Sequence, residues 1–261
     1  MGKNNLKVVA QAIILAALGL TSCTGVSPSS FYAQQEQQRY KVIDHIISCN
    51  VTVMYPTGVG SGVVYRKNGK CYVLTASHII ADPPETILQD NNGHDFAEPL
   101  INQTFGTKSI LICKNTDEGD ICFAIKGKLA YVDPYNDFAI LEFEREPSHE
   151  PEISEFYLDR LKVGERIFVV GNSTLDIDSI ATGIIQHPNR DPIADQTSRR
   201  FIQTDCAGGP GCSGGGLYRE VDGKCIGIVL LKNESGLCLY AMPITTIKEI
   251  LLNSCRKDLA P

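Results

Sequence analysis

From residue 49 onward the chain consists of short apolar or alternating runs, cut apart by Gly, Asn, Asp and Pro. Such runs fall at 51–55, 62–65, 71–75, 109–113, 121–125, 138–143, 166–170, 180–185, 201–204, 225–231 and 237–241. Turn dipeptides sit between them: Asn68-Gly69, Asn92-Gly93, Glu118-Gly119, Asp222-Gly223 and Ser235-Gly236. Many short strands joined by hairpin turns restrict the fold to an all-β sandwich or barrel. After this texture begins, only 244–252, which follows Pro243, carries the spacing of a surface helix with one buried stripe. No repeat of 20–50 residues is visible.

The first residues read differently. Lys3 and Lys7 precede an apolar run over 8–20, broken only by Gln11. The run is shorter than the roughly 20 residues a membrane-spanning helix needs and has the layout of a secretory signal. Leu20-Thr21-Ser22-Cys23 follows directly and resembles the bacterial lipobox. Cys23 is thus expected to carry a lipid, which would anchor the protein to a membrane without spanning it. Residues 24–39, rich in Ser and Gln, are expected to form a flexible tether, with a short helix over 40–48.

The chain has ten cysteines, which fits an oxidising compartment. Setting Cys23 aside leaves an odd number, so at least one thiol stays free or pairs between molecules. Cys113 and Cys122 are placed to face each other across a hairpin, and Cys225 and Cys238 flank another. Connectivity does not follow from sequence. No CxxC pair occurs, which disfavours a zinc ribbon. The net charge is −6 with both signs interspersed, so no basic stripe marks a nucleic-acid surface.

Three residues stand in settings suited to nucleophilic chemistry. A serine hydroxyl needs a base, an orienting partner for that base, and N–H donors for the oxyanion. Ser213 lies in Gly211-Cys212-Ser213-Gly214-Gly215, where glycines allow unusual torsions and close approach. The N–H groups of Gly211 and Ser213 are the candidate oxyanion donors. His78 follows the apolar strand ending Leu74-Thr75-Ala76-Ser77. Asp137 stands at the mouth of the apolar run 138–143. Their order along the chain, His then Asp then Ser, is that of chymotrypsin. Cys212 competes with Ser213 as nucleophile, but Pro210, two positions before it, has no N–H to donate.

These segments together resemble the protease domain of the HtrA/Deg family within the trypsin-like class. The matching pieces are Gly60-Ser61-Gly62-Val63, Asp133-Pro134 ahead of Asp137-Phe138-Ala139-Ile140-Leu141, and Leu161-Lys162-Val163-Gly164-Glu165. Others are Val170-Gly171-Asn172, Gly183-Ile184-Ile185, Ile202-Gln203-Thr204-Asp205, Pro210 through Gly215, and Tyr240-Ala241-Met242-Pro243. The resemblance implies two six-stranded antiparallel β-barrels with a short C-terminal helix. It also implies serine endopeptidase activity with His78, Asp137 and Ser213 as the triad, and protein or peptide substrates. That chemistry needs no metal or organic cofactor. The chain departs from the family at Cys206, Cys212 and Gly216. It also ends soon after the last helix, so PDZ-linked assembly is not expected.

In this fold the specificity pocket is lined by the segment before the nucleophile and two later strands, here giving Cys206, Leu230, Leu231 and Cys238. No acidic residue stands at the expected pocket base, so small or medium aliphatic residues are the expected preference. Cys212 is expected either to pair with Cys206 or Cys238 or to remain a free small side chain. The expected organisation is a signal peptide over 1–22, a lipidated tether over 23–48, the catalytic domain over 49–255 and a tail over 256–261. The expected location is the bacterial cell envelope.

Overall fold

The computed structural model describes residues 28–55, 58–80, 88–89, 95–96, 110–114, 123–144, 151–173, 176–191, 199–232 and 237–261. The expected signal peptide, Cys23 and the Cys113–Cys122 pairing therefore lie wholly or partly outside them. The chain divides into two units between Lys41 and Val42. Of the first, residues 28–41 are helical. Among the described residues no helix is long and apolar enough to cross a membrane.

Helix α1 (Pro28–Ser48) replaces much of the expected tether. Pro28 suits a first helical position, and the Gln, Glu, Ala and Arg residues that follow have good helix propensity despite their polarity. Its last turns belong to the second unit, where Val42 and Ile46, four residues apart, are buried.

The first barrel contains β1 (Asn50–Tyr55), β2 (Gly58–Lys67) and β3 (Lys70–Thr75). After α2 (Ser77–Ile80) and the paired two-residue strands β4 (Leu88–Gln89) and β5 (Asp95–Phe96), it continues with β6 (Ile110–Lys114), β7 (Phe123–Asp133) and β8 (Phe138–Phe143). The strand order is β1-β2-β3-β8-β7-β6, and pairing of β6 with β1 closes it. Asn68 and Gly69 both take positive φ, 50° and 79°, the geometry of a tight hairpin turn between β2 and β3.

The second barrel uses β9 (Arg166–Ser173), β10 (Asp176–Arg190), β11 (Phe201–Thr204), β12 (Gly216–Arg219), β13 (Cys225–Lys232) and β14 (Leu239–Pro243). Their order is β10-β11-β14-β13-β12-β9, closed by β9 against β10. Closure leaves neither barrel with an open edge. Side chains alternate along a strand. Ile167 and Val169 of β9 accordingly fill the second barrel's cluster, while Phe168 and Val170 join the larger cluster that includes the first barrel.

Asn50, Tyr218 and Ser154 tie the two barrels through a buried polar network. Asn50 Nδ2 donates to Ile46 O (2.6 Å) and Tyr218 Oη (2.7 Å), and Asn50 Oδ1 accepts from Gly216 N (3.2 Å). The Tyr218 hydroxyl also lies 3.3 Å from Ser154 Oγ. Replacing Asn50 by leucine strands a buried N–H and a buried carbonyl and removes a partner from a buried hydroxyl. Unfolding in urea should report a loss of about 3 kcal/mol. A loss below about 1 kcal/mol would mean the network contributes little.

Helix α3 (Ile244–Asn253) buries Ile244, Ile247 and Leu251 along one stripe. The C-terminal tail is packed against the domain. Residues Lys257–Leu259 form a 3-10 turn, Leu259 and Ala260 are buried, and Tyr65 Oη donates to Leu259 O (2.9 Å). Arg256 donates from Nη1 to Ala130 O, so the polar composition of this stretch conceals specific anchors.

Candidate active site

The register of β3 against β8, with Thr75 opposite Ala139, brings the end of one strand beside the start of the other. His78 lies just past β3 in α2 and Asp137 just before β8. Asp137 takes φ 60°, a left-handed conformation that Asp tolerates better than most residues. The preceding turn is held by Asp133, whose carboxylate accepts from Asn136 N (2.9 Å) and Asn136 Nδ2 (2.8 Å).

Asp137 collects several donors. Oδ1 accepts from Ser77 Oγ (2.9 Å), His78 N (3.0 Å) and His78 Nδ1 (3.0 Å), and Oδ2 lies 2.8 Å from the same Nδ1. A ring nitrogen facing two carboxylate oxygens carries the proton, which leaves Nε2 as the acceptor. The Asp137 hydrogen bond raises the His78 pKa above its ordinary value. Burial opposes this, and the carboxylate charge adds to it.

Ser213 arrives from the second barrel on a loop clamped to the first. Ser61 N donates to Ser213 O (2.8 Å), and Ser61 Oγ donates to Gly211 O (2.8 Å). Thr75 Oγ1 in turn donates to Ser61 O (2.7 Å). Ser61 is fully buried. The sequence marked its segment by resemblance, yet its clamping role depends on a partner 150 residues away and was not readable.

Glycine is required where the two loops touch. A Cβ at Gly214, at φ 81°, would stand 2.1 Å from Ser61 O. The loop's other N–H groups are engaged: Cys212 N with Gly209 O, Gly214 N with Val229 O and Gly215 N with Cys212 O. Among the described residues no backbone hydrogen bond uses the N–H of Gly211 or Ser213. These two remain available as oxyanion donors.

His78 and Ser213 line one cleft of about 470 Å³. Among the described residues no hydrogen bond joins Ser213 Oγ to the imidazole; such bonds often tighten only with substrate bound. Leu230 and Leu231 also line the cleft, joined by Val229, Leu239 and Pro210, with Lys232 present. No carboxylate is among the described lining residues.

Cys206 and Cys238 are not among the described residues lining this cleft. Cys206 points into the second barrel's core, where a Cβ on Gly183 would come within 2.7 Å of its sulfur. Burial pushes its thiol up to about 11. Cys238 Sγ instead lies 3.6 Å from Gln186 Oε1. Cys206 and Cys212 are unbridged thiols, so of the alternatives for Cys212 the structure has the free small side chain, buried against the cleft. Cys225 is not opposite Cys238 either. The β13–β14 register sets Lys232 against Leu239, leaving Cys225 at the far end of its strand.

Residues 60–228 match the family described as the trypsin-like peptidase domain. The chain is 29% identical over 170 residues to a probable periplasmic serine endoprotease DegP-like of Pseudomonas fulva, covering 65% of this chain and 28% of that protein. It is 30% identical over 172 residues to a probable periplasmic serine protease do/HhoA-like of Haemophilus influenzae, covering 66% and 30%. The chain thus spans less than a third of the length of these two relatives. Its fold is similar to the crystal structure of Deg5, with TM-score 0.61 and 24% identity, covering 82% of this chain and 92% of that one. It is similar also to the HtrA-type protease AlgW with tripeptide, with TM-score 0.62 and 22% identity, covering 84% and 64%.

Proposed function

Because the chain belongs to the trypsin-like peptidase domain family, we propose that it is a serine endopeptidase that hydrolyses peptide bonds of exported proteins through His78, Asp137 and Ser213. The observation that carries this reading is the His78–Asp137 hydrogen bond on a cleft shared with Ser213. His78 Nε2 removes the Ser213 proton as Oγ attacks the scissile carbonyl. Asp137 holds the ring's tautomer and stabilises the imidazolium. The N–H groups of Gly211 and Ser213 receive the oxyanion. His78 then protonates the leaving amine, and water resolves the acyl-enzyme by the same route.

The apolar lining from Val229, Leu230, Leu231 and Leu239 favours a small or medium aliphatic side chain before the scissile bond. Preferential cleavage after Lys or Arg in a mixed peptide set would contradict this. The periplasmic relatives support an exported, envelope-associated protein, and the sequence around Cys23 adds a lipid anchor to that reading.

Fluorophosphonate labelling tests the nucleophile. Wild type and Cys212→Ala should label and Ser213→Ala should not. Labelling that survives in Ser213→Ala, or no labelling of any form, counts against the assignment.

A further inference from the structure

We propose that His45, Cys49 and Glu152 form a zinc-binding site that clips the end of α1 to the segment beginning at residue 151. His45 and Cys49 are four residues apart where α1 runs into β1, a spacing that sets two side chains on one face. The backbone of all three residues is tied down. Cys49 N donates to His45 O (3.0 Å), Val64 N to Cys49 O (2.9 Å) and Glu152 N to Ser48 O (3.1 Å). Glu152 Oε2 already contacts His45 Nδ1.

The distances suit a tetrahedral ion. Cys49 Sγ lies 3.6 Å from His45 Nε2 and 4.0 Å from Nδ1. Zn–S near 2.3 Å and Zn–N near 2.0–2.1 Å put sulfur and nitrogen roughly 3.5 Å apart across a tetrahedral angle. One ligand atom from each residue lies within 4.8 Å of the other two. A thiolate, an imidazole and a carboxylate together select zinc over magnesium or calcium.

The same three groups have the makings of a thiol nucleophile with its base. Cys49, however, has 0% exposure, so no substrate carbonyl can reach it. An ion can, because the His45 and Glu152 side chains are 37% and 54% exposed. Glu152 exchanges its contact with the ring for the metal, the thiol proton leaves to solvent, and water completes the tetrahedron. The ion would join residues 107 positions apart in sequence. The site is independent of the proposed peptidase chemistry.

The test is titration of the metal-free full chain with Co2+, followed by Zn2+. One equivalent of cobalt should give a sulfur-to-cobalt charge-transfer band that zinc abolishes. Cys49→Ser should lack the band, and zinc should raise the melting temperature of wild type but not of Cys49→Ser. Glu152→Gln, at an exposed position, should bind zinc at least about tenfold more weakly, since losing even a partner that only orients a ligand costs that much. A wild type without the band, or a Cys49→Ser that keeps it, would overturn the site. If Cys49→Ser does not fold, an unchanged zinc affinity in Glu152→Gln overturns it equally.

Discussion

Replacing Ser213 by alanine is expected to lower kcat on an aliphatic peptide substrate by on the order of a million-fold. Removing the hydroxyl leaves His78 and Asp137 paired and the N–H groups of Gly211 and Ser213 in place. What survives is binding and oxyanion stabilisation, worth about 10³–10⁴-fold over water. The members of such a unit act together, so adding His78→Ala to Ser213→Ala should lower kcat little further. Cys212 should not take over. It is only 6% exposed, and the residue two before it, Pro210, carries no N–H. Residual turnover in Ser213→Ala that iodoacetamide removes would show the thiol to be a competent nucleophile. A drop smaller than about tenfold would remove Ser213 from the chemistry altogether.

How much of this was legible in the sequence depends on how local each cause is. Strands β8 and β11 coincide with the apolar runs 138–143 and 201–204. The Asn68-Gly69 turn and the start of α3 after Pro243 are set by neighbouring residues in the same way. Strand β12 was missed. Its sequence, Gly-Leu-Tyr-Arg, carries little strand signal, and it is a strand because β9 and β13 pair with it on either side. Strand β7 runs to Asp133, well past the apolar run at 121–125, and pairs with β8 through a bulge between Leu129 and Tyr131. At the site, the residue types and their order were visible. The clamp by Ser61 and the additional grip of Ser77 on Asp137 were not, because each arises from docking between distant segments. Cys206 shows the same dependence on distant packing. Its place just before the nucleophile loop suggested a pocket wall, while burial against Gly183 turned the side chain inward.

Asp137→Asn tests the orienting step and has a signature that simple damage lacks. Asparagine tolerates a φ near 60° about as well as aspartate, so the turn should persist. Its amide oxygen can still accept from Ser77 Oγ and His78 N, which now bond Oδ1. The change falls where Oδ2 meets His78 Nδ1 at 2.8 Å. An amide N–H there favours the tautomer with its proton on Nε2, which then cannot act as base. The expected fall in kcat is about 10⁴-fold. The pH dependence gives the direction independently. In wild type, kcat/KM should rise as His78 loses its proton, with a midpoint above the ordinary histidine value of about 6.5, because Asp137 stabilises the charged ring. Without that carboxylate, burial is left to disfavour the charge, so the midpoint of the variant's remaining activity should move to lower pH. A midpoint that stays in place, or a loss below tenfold, would mean that Asp137 neither holds the imidazole nor supports its charge during turnover.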